Sequence, residues 1–185
     1  MILKLDNSNV SWGVILIPFF AVLISVPILF HDFSQVNYYY EWQNSFFNFA
    51  NQFVIADFIL TLSLLIINAV LINQVFSRTN LFSKTTFVPA LLYVVFVTFV
   101  QNLHFGPFLI IHVLIIGLID QLMKIDKGEP AIHTSFKSAL LIGLMICMSF
   151  YYGFVMLIVF IALYSIKSFN WREWFLVFLG LSVPV

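Results

Sequence analysis

Charge is what this chain has least of. Only 9% of its residues are Asp, Glu, Lys or Arg, where soluble domains carry roughly 25%. Eight cations balance eight anions to zero net charge, so no basic field is present to hold a nucleic acid. Cysteine is all but missing: Cys147 stands alone in an apolar run, which excludes an internal disulfide framework. No long polar stretch is found either, and without one a sizeable soluble domain has nowhere to sit.

What fills the chain instead is hydrocarbon, 62% of residues being hydrophobic. A chain of 185 residues cannot hide that much apolar surface from water by folding on itself. The fitting solvent is a bilayer, so its length is measured in spans. The fold expected is an all-α polytopic transmembrane helical bundle in one integral membrane domain over 1–185. The 23 phenylalanines serve packing and lipid contact rather than a cofactor box, and no cofactor is expected. The first apolar run, Trp12 to Phe30, exceeds a signal-peptide core and lacks an Ala-x-Ala-like cleavage site, so it is a retained first span.

Along the chain, Pro18 and Pro27 inside that run predict a kink or an early end. His31 to Gln52 then carries Asp32 and Glu41 but no Lys or Arg. From Glu41 onward, Trp42, Phe46, Phe49 and Phe53 recur at helical spacing, while Gln43, Asn44, Asn48, Asn51 and Gln52 take the other positions. That pattern predicts an amphipathic helix in the interface, on the outer side because it has no cations. Span two runs from about Phe53 to Phe76, with Asp57, Thr61 and Asn68 on one face turned toward other helices. Spans three and four follow at about Phe87–Val100 and Phe108–Met123, separated by the turn Gln101–Pro107. Ser138–Ile166 is apolar throughout and is divided into two short spans near Tyr151–Gly153. Ala139/Gly143 and Ser149/Gly153 match a small-xxx-small pattern, expected to pack that short hairpin. The last run, Phe175–Val185, covers about 16 Å at 1.5 Å per residue, half a hydrocarbon thickness. It predicts a seventh span cut short, in a chain that continues past Val185.

With Lys4 inside, the loops alternate so that all eight cations (Lys4, Arg78, Lys84, Lys124, Lys127, Lys137, Lys167 and Arg172) fall on the inner side. This is a positive-inside pattern, and it favours splitting 138–166, since one unbroken helix would put Lys137 and Lys167 on opposite sides. It predicts about six spans, a cytoplasmic amino terminus and an inner-membrane location.

The most particular stretch is Lys167-Ser168-Phe169-Asn170-Trp171-Arg172-Glu173-Trp174. Asn170 is placed as an N-cap with Glu173 reaching back to it, and Phe169 and Trp174 as a hydrophobic staple. Followed by Gly180 and Pro184, it resembles the signature of a domain-of-unknown-function family of polytopic inner-membrane proteins from Bacteroidetes. Trp171, Arg172, Glu173, Trp174, Gly180 and Pro184 match, while Lys167 stands where that family has Arg. The Phe150-Tyr151-Tyr152-Gly153 turn between short spans also looks similar. The resemblance implies a location, a topology and a longer chain. It implies no reaction.

Candidate sites each have a plain structural reading beside the functional one. Trp171, Trp174 and Trp42 are interfacial anchors. Arg172 sits in a first helical turn, where the dipole disfavours a cation, so with Lys167 it would take an anionic lipid headgroup or lipid-linked phosphate. Cap, staple and aromatic belt account for the same residues without a ligand. Asp57 is an ionisable group inside a span, hence a functional candidate, or a hydrogen-bonded acid near the interface. Asp120 pairs with Lys124 at i,i+4. His31, His104 and His112 share the outer half and could hold iron or zinc, although no pair has close ligand spacing; singly, they are solvated interfacial histidines. Asp32 or Glu41 in the first outer loop would suit a base in a membrane enzyme acting on polyprenyl-linked glycans, or simply solvate the loop. Three functions are therefore open: a structural or transport-type membrane protein, a lipid-linked glycan enzyme, and a histidine metalloenzyme.

Overall fold

Apolar runs of this kind leave the backbone one economical way to satisfy its own hydrogen bonds, the α-helix. A computed structural model of the chain describes residues 17–23, 26, 40–78, 87–100, 104–125, 132–166 and 171–184. Among these the protein is all-helical, with no strand. The helices are α1 (described over 17–23), α2 (Glu41–Asn51), α3 (Val54–Arg78), α4 (Val88–Val100), α5 (Pro107–Leu122), α6 (Ile132–Met148), α7 (Val155–Ile166) and α8 (Trp171–Ser182), with a 3-10 helix at Phe150–Phe154. The chain falls into two compact units, Met1–Leu109 and Ile110–Val185, so the boundary lies within α5.

In the first unit α3 is the long element. Its 25 residues extend about 37 Å at 1.5 Å per residue, enough to cross a hydrocarbon core. Among the described residues it is the one helix both long and apolar enough to do so. Its buried residues Asp57, Thr61, Leu65, Asn68 and Ala69 follow a single helical stripe. Leu65 and Ala69 pack with Ile17 and Ala21 of α1, with Ala90, Val94 and Val97 of α4, and with Leu109. These sets repeat at three or four residues, as helix faces must. The carboxy-terminal end of α3 (Ile72, Phe76) meets the amino-terminal end of α4 (Val88, Pro89, Leu92), so the two form an antiparallel hairpin with an apolar groove between those ends.

α2 starts at Glu41, as the aromatic spacing predicts. Its Trp42, Phe46 and Phe49, followed by Phe53, are exposed on one strip, an arrangement suited to an interface. Gln43, off the aromatic strip, is fully buried, and its Oε1 accepts the Tyr40 backbone N–H (3.4 Å), closing the first turn of α2.

In the second unit, helix α6 stops at Met148 and the 3-10 turn follows, so the apolar stretch is divided where expected. The Ala139/Gly143 pair does not serve that hairpin. It faces α8: Gly180 lies against Ala139 and the Phe136 carbonyl, and Gly143 against Pro184 and the Leu181 carbonyl. Since 139 meets 180 and 143 meets 184, α6 and α8 run parallel, and α7 must return between them. Phe160 of α7 stacks on Trp174 (centroids 4.8 Å apart, 9° between planes) and meets Phe178. Lys137 and Arg172 consequently lie toward the same end of this unit.

Added methyl groups report this packing. A Cβ at Gly180 would stand 2.8 Å from both Ala139 Cβ and the Phe136 carbonyl oxygen, whereas one at Gly153 meets nothing closer than Ile146 at 3.9 Å. Gly180→Ala should lower stability by about 1–3 kcal/mol through overpacking, and Gly153→Ala should change it by less than about 0.5 kcal/mol. Thermal unfolding in detergent checks the pair.

Candidate functional site

The polar stripe on α3 is where chemistry-bearing residues are gathered in the first unit. Asp57 is 2% exposed, although it sits one turn from the start of an apolar helix. Burying a carboxyl group there is costly unless its oxygens are engaged. Thr61, one turn on, donates its Oγ1–H to Asp57 Oδ1 at 3.2 Å. The Phe105 backbone N–H donates to the same oxygen at 2.6 Å, from 48 residues away in sequence. Farther along the stripe Asn68 Nδ2 donates to the Leu109 carbonyl at 3.0 Å. Asn68 Oδ1 is buried with no hydrogen-bond partner among the described residues. Asp57 and Asn68 together bind the chain that leads into α5 onto α3.

The loop that reaches Asp57 is His104-Phe105-Gly106, and it presents its peptide rather than a cation. Phe105 is buried beneath α2, its ring 5.4 Å from that of Phe47 and 6.4 Å from that of Phe46. His104 precedes the donating amide and is half-buried. Phe105, packed against α2, therefore completes a small polar cluster of Asp57, Thr61 and its own backbone amide. Sequence spacing had placed Asp57 and Thr61 on one face. It gave no signal that the Phe105 amide would join them, since the loop's approach depends on where Phe105 finds an aromatic bed.

Among the described residues the other candidates are not brought together. Glu41 is exposed on the first turn of α2. Asp32, His31 and Lys167 lie outside the described residues, as do Asn170 and Phe169 of the expected cap and staple. Trp42 and Trp171 are exposed, Trp171 to 66%, as suits interfacial anchors, whereas Trp174 is half-buried in its stack on Phe160. Arg172 is exposed near the start of α8. His112 is half-buried on the part of α5 that belongs to the second unit. Among the described residues no three His, Cys, Asp or Glu side chains converge as metal ligands. Lys124 and Asp120 form the i,i+4 pair the spacing predicts, on a surface where such pairs contribute little. Cys147 donates its thiol to the Pro184 carbonyl at 2.9 Å.

No known protein family, curated protein or solved structure matches the chain.

The cluster makes a specific demand on Asp57. Asp57→Ala strands the Phe105 N–H and the Thr61 hydroxyl in a buried place and should cost about 1–3 kcal/mol. Asp57→Asn keeps an acceptor oxygen and should cost clearly less. Denaturant or thermal unfolding of the purified variants in detergent measures the difference.

Proposed function

We propose that this protein is a multi-pass membrane protein of structural or transport type, with no catalysis in these residues. In this reading it sits in a bacterial inner membrane, crosses about six times and keeps its amino terminus in the cytoplasm. The observation that carries the reading is the apolar surface the helices turn outward. Ile55 and Ile59 on α3, Leu92 and Phe96 on α4, and Leu157, Ile158, Ile161 and Tyr164 on α7 are all more than half exposed or close to it. Patches of that extent are rare on proteins surrounded by water.

Length supports it unequally. α3 spans unaided, whereas α5 and α6, with 16 and 17 residues, extend about 24–26 Å. The 3-10 turn runs directly into α7, and Phe150–Ile166 together extends about 28 Å. α4, with 13 residues, covers about 20 Å and requires the bilayer to thin or its flanks to snorkel. The distribution of cations supplies the orientation. Lys137 and Arg172 toward one end of the second unit agree with it, and Lys167 and Arg172 would there meet anionic headgroups. The likeness of the Trp171–Trp174 segment to the Bacteroidetes family points the same way.

Labelling from each side tests the map. With Cys147 replaced by Ser, a membrane-impermeant maleimide should label Ser45→Cys on the outer face of intact spheroplasts. It should label Ser77→Cys only after the membrane is opened. Equal labelling of both from one side would reject the topology.

A further inference from the structure

Between the last turns of α3 and the first turns of α4 runs a groove of about 350 Å³ that presents almost no polar surface. Ile72 and Phe76 wall it on the α3 side, and Val88, Leu92 and Phe96 on the α4 side. We propose that this groove binds one acyl chain of an anionic phospholipid of the inner leaflet, with Arg78 taking its phosphate. The inference rests on the membrane-protein reading above and goes beyond it by naming a bound ligand and its place.

Shape selects the occupant. Val88, Leu92 and Phe96 recur every four residues and are each half exposed or more, so the α4 wall is open along its length. From Val88 to Phe96 it extends about 12 Å at 1.5 Å per residue. Spread over that length, 350 Å³ gives a channel of about 30 Å² in cross-section. A helix about 10 Å across with its side chains needs roughly 80 Å². A helix of a second copy would therefore rest on the rim without entering. A hydrocarbon chain, roughly 4–5 Å across at carbon contact distance, enters. The groove runs along the helices, and in a bilayer that is also the direction in which acyl chains lie.

Charge selects the headgroup. α3 ends at Arg78, exposed in the same last turn that holds Phe76 and about 3 Å beyond it along the axis. In the topology above that end is cytoplasmic, where the leaflet is anionic. A guanidinium meets phosphate oxygens with paired hydrogen bonds. The chain carries no Asp or Glu between Asp57, at the far end of α3, and Asp120, so no carboxylate of the hairpin opposes an anionic headgroup.

Native mass spectrometry of the full chain in detergent, titrated with phosphatidylglycerol or phosphatidylcholine, reads the site directly. The parent should retain one phosphatidylglycerol, about fivefold more tightly than phosphatidylcholine. Arg78→Gln should abolish that preference and still retain lipid. Leu92→Trp, which fills the groove, should lose the retained lipid, whereas Ile59→Trp, on an exposed part of α3 outside the groove, should keep it. Should Leu92→Trp fail to fold, Val88→Phe narrows the groove at its other end, and Arg78→Gln tests the headgroup from the surface. Retention unchanged by Leu92→Trp, or equal retention of the two lipids by the parent, would overturn the proposal. So would a parent that holds no lipid, the result expected if a segment of this chain occupies the groove. A dimer that Leu92→Trp dissociates, with no lipid held, would assign the groove to a second copy and overturn it too. The maleimide map is read separately, so a wrong topology and a groove without lipid are told apart.

Discussion

The outward apolar faces set the conditions for everything else in this protein. On the proposed membrane reading, side chains such as Ile55, Ile161 and Tyr164, each more than 60% exposed, meet hydrocarbon as their solvent. That solvent offers no hydrogen bonds, so backbone polar groups must be satisfied along the helices themselves. It also removes the hydrophobic drive that would press helices together, since lipid is as apolar as leucine. Cohesion has to come from close packing and from polar contacts inside the bundle.

The two units use those two means differently. The first is tied by the α3 stripe, where Asp57 and Asn68 reach the Phe105 amide and the Leu109 carbonyl. The second is built on close approach, with Gly180 against Ala139 and Gly143 against Pro184 letting α6 and α8 run side by side. One arrangement places a titratable group at the centre of the contact. The other is apolar at its contact, with Ser135 and Ser138 buried nearby on α6. A functional reading of the chain accordingly starts from the first unit.

Much of the helical layout was legible in the residues. The aromatic spacing located α2, and the break expected within the 138–166 run falls at the 3-10 helix Phe150–Phe154. The polar face of α3 was legible because a period of 3.6 residues aligns Asp57, Thr61 and Asn68 whatever lies opposite. Partners across space were another matter. Small residues at 139 and 143 announce that some helix comes close, but only the course of the chain decides that it is α8. Gln43 reads only as a position off the aromatic strip, and its burial shows once the first turn of α2 needs an acceptor for Tyr40. The Phe105 amide carries no mark of its own in the sequence, and its place on Asp57 follows from a loop held by Phe105 against Phe46 and Phe47. Composition speaks to the environment of a helix, and long-range pairing depends on shape.

The account stands on hydrocarbon covering the exposed faces of α3, α4 and α7. Nitroxide labels at Ile59, Phe96 and Ile161, in a chain with Cys147→Ser reconstituted into vesicles, measure this through collision with paramagnetic reagents. Apolar oxygen should broaden or relax all three far more effectively than a water-soluble nickel chelate does. Labels relaxed chiefly by the nickel chelate would mean that these faces meet water, and the account would be wrong.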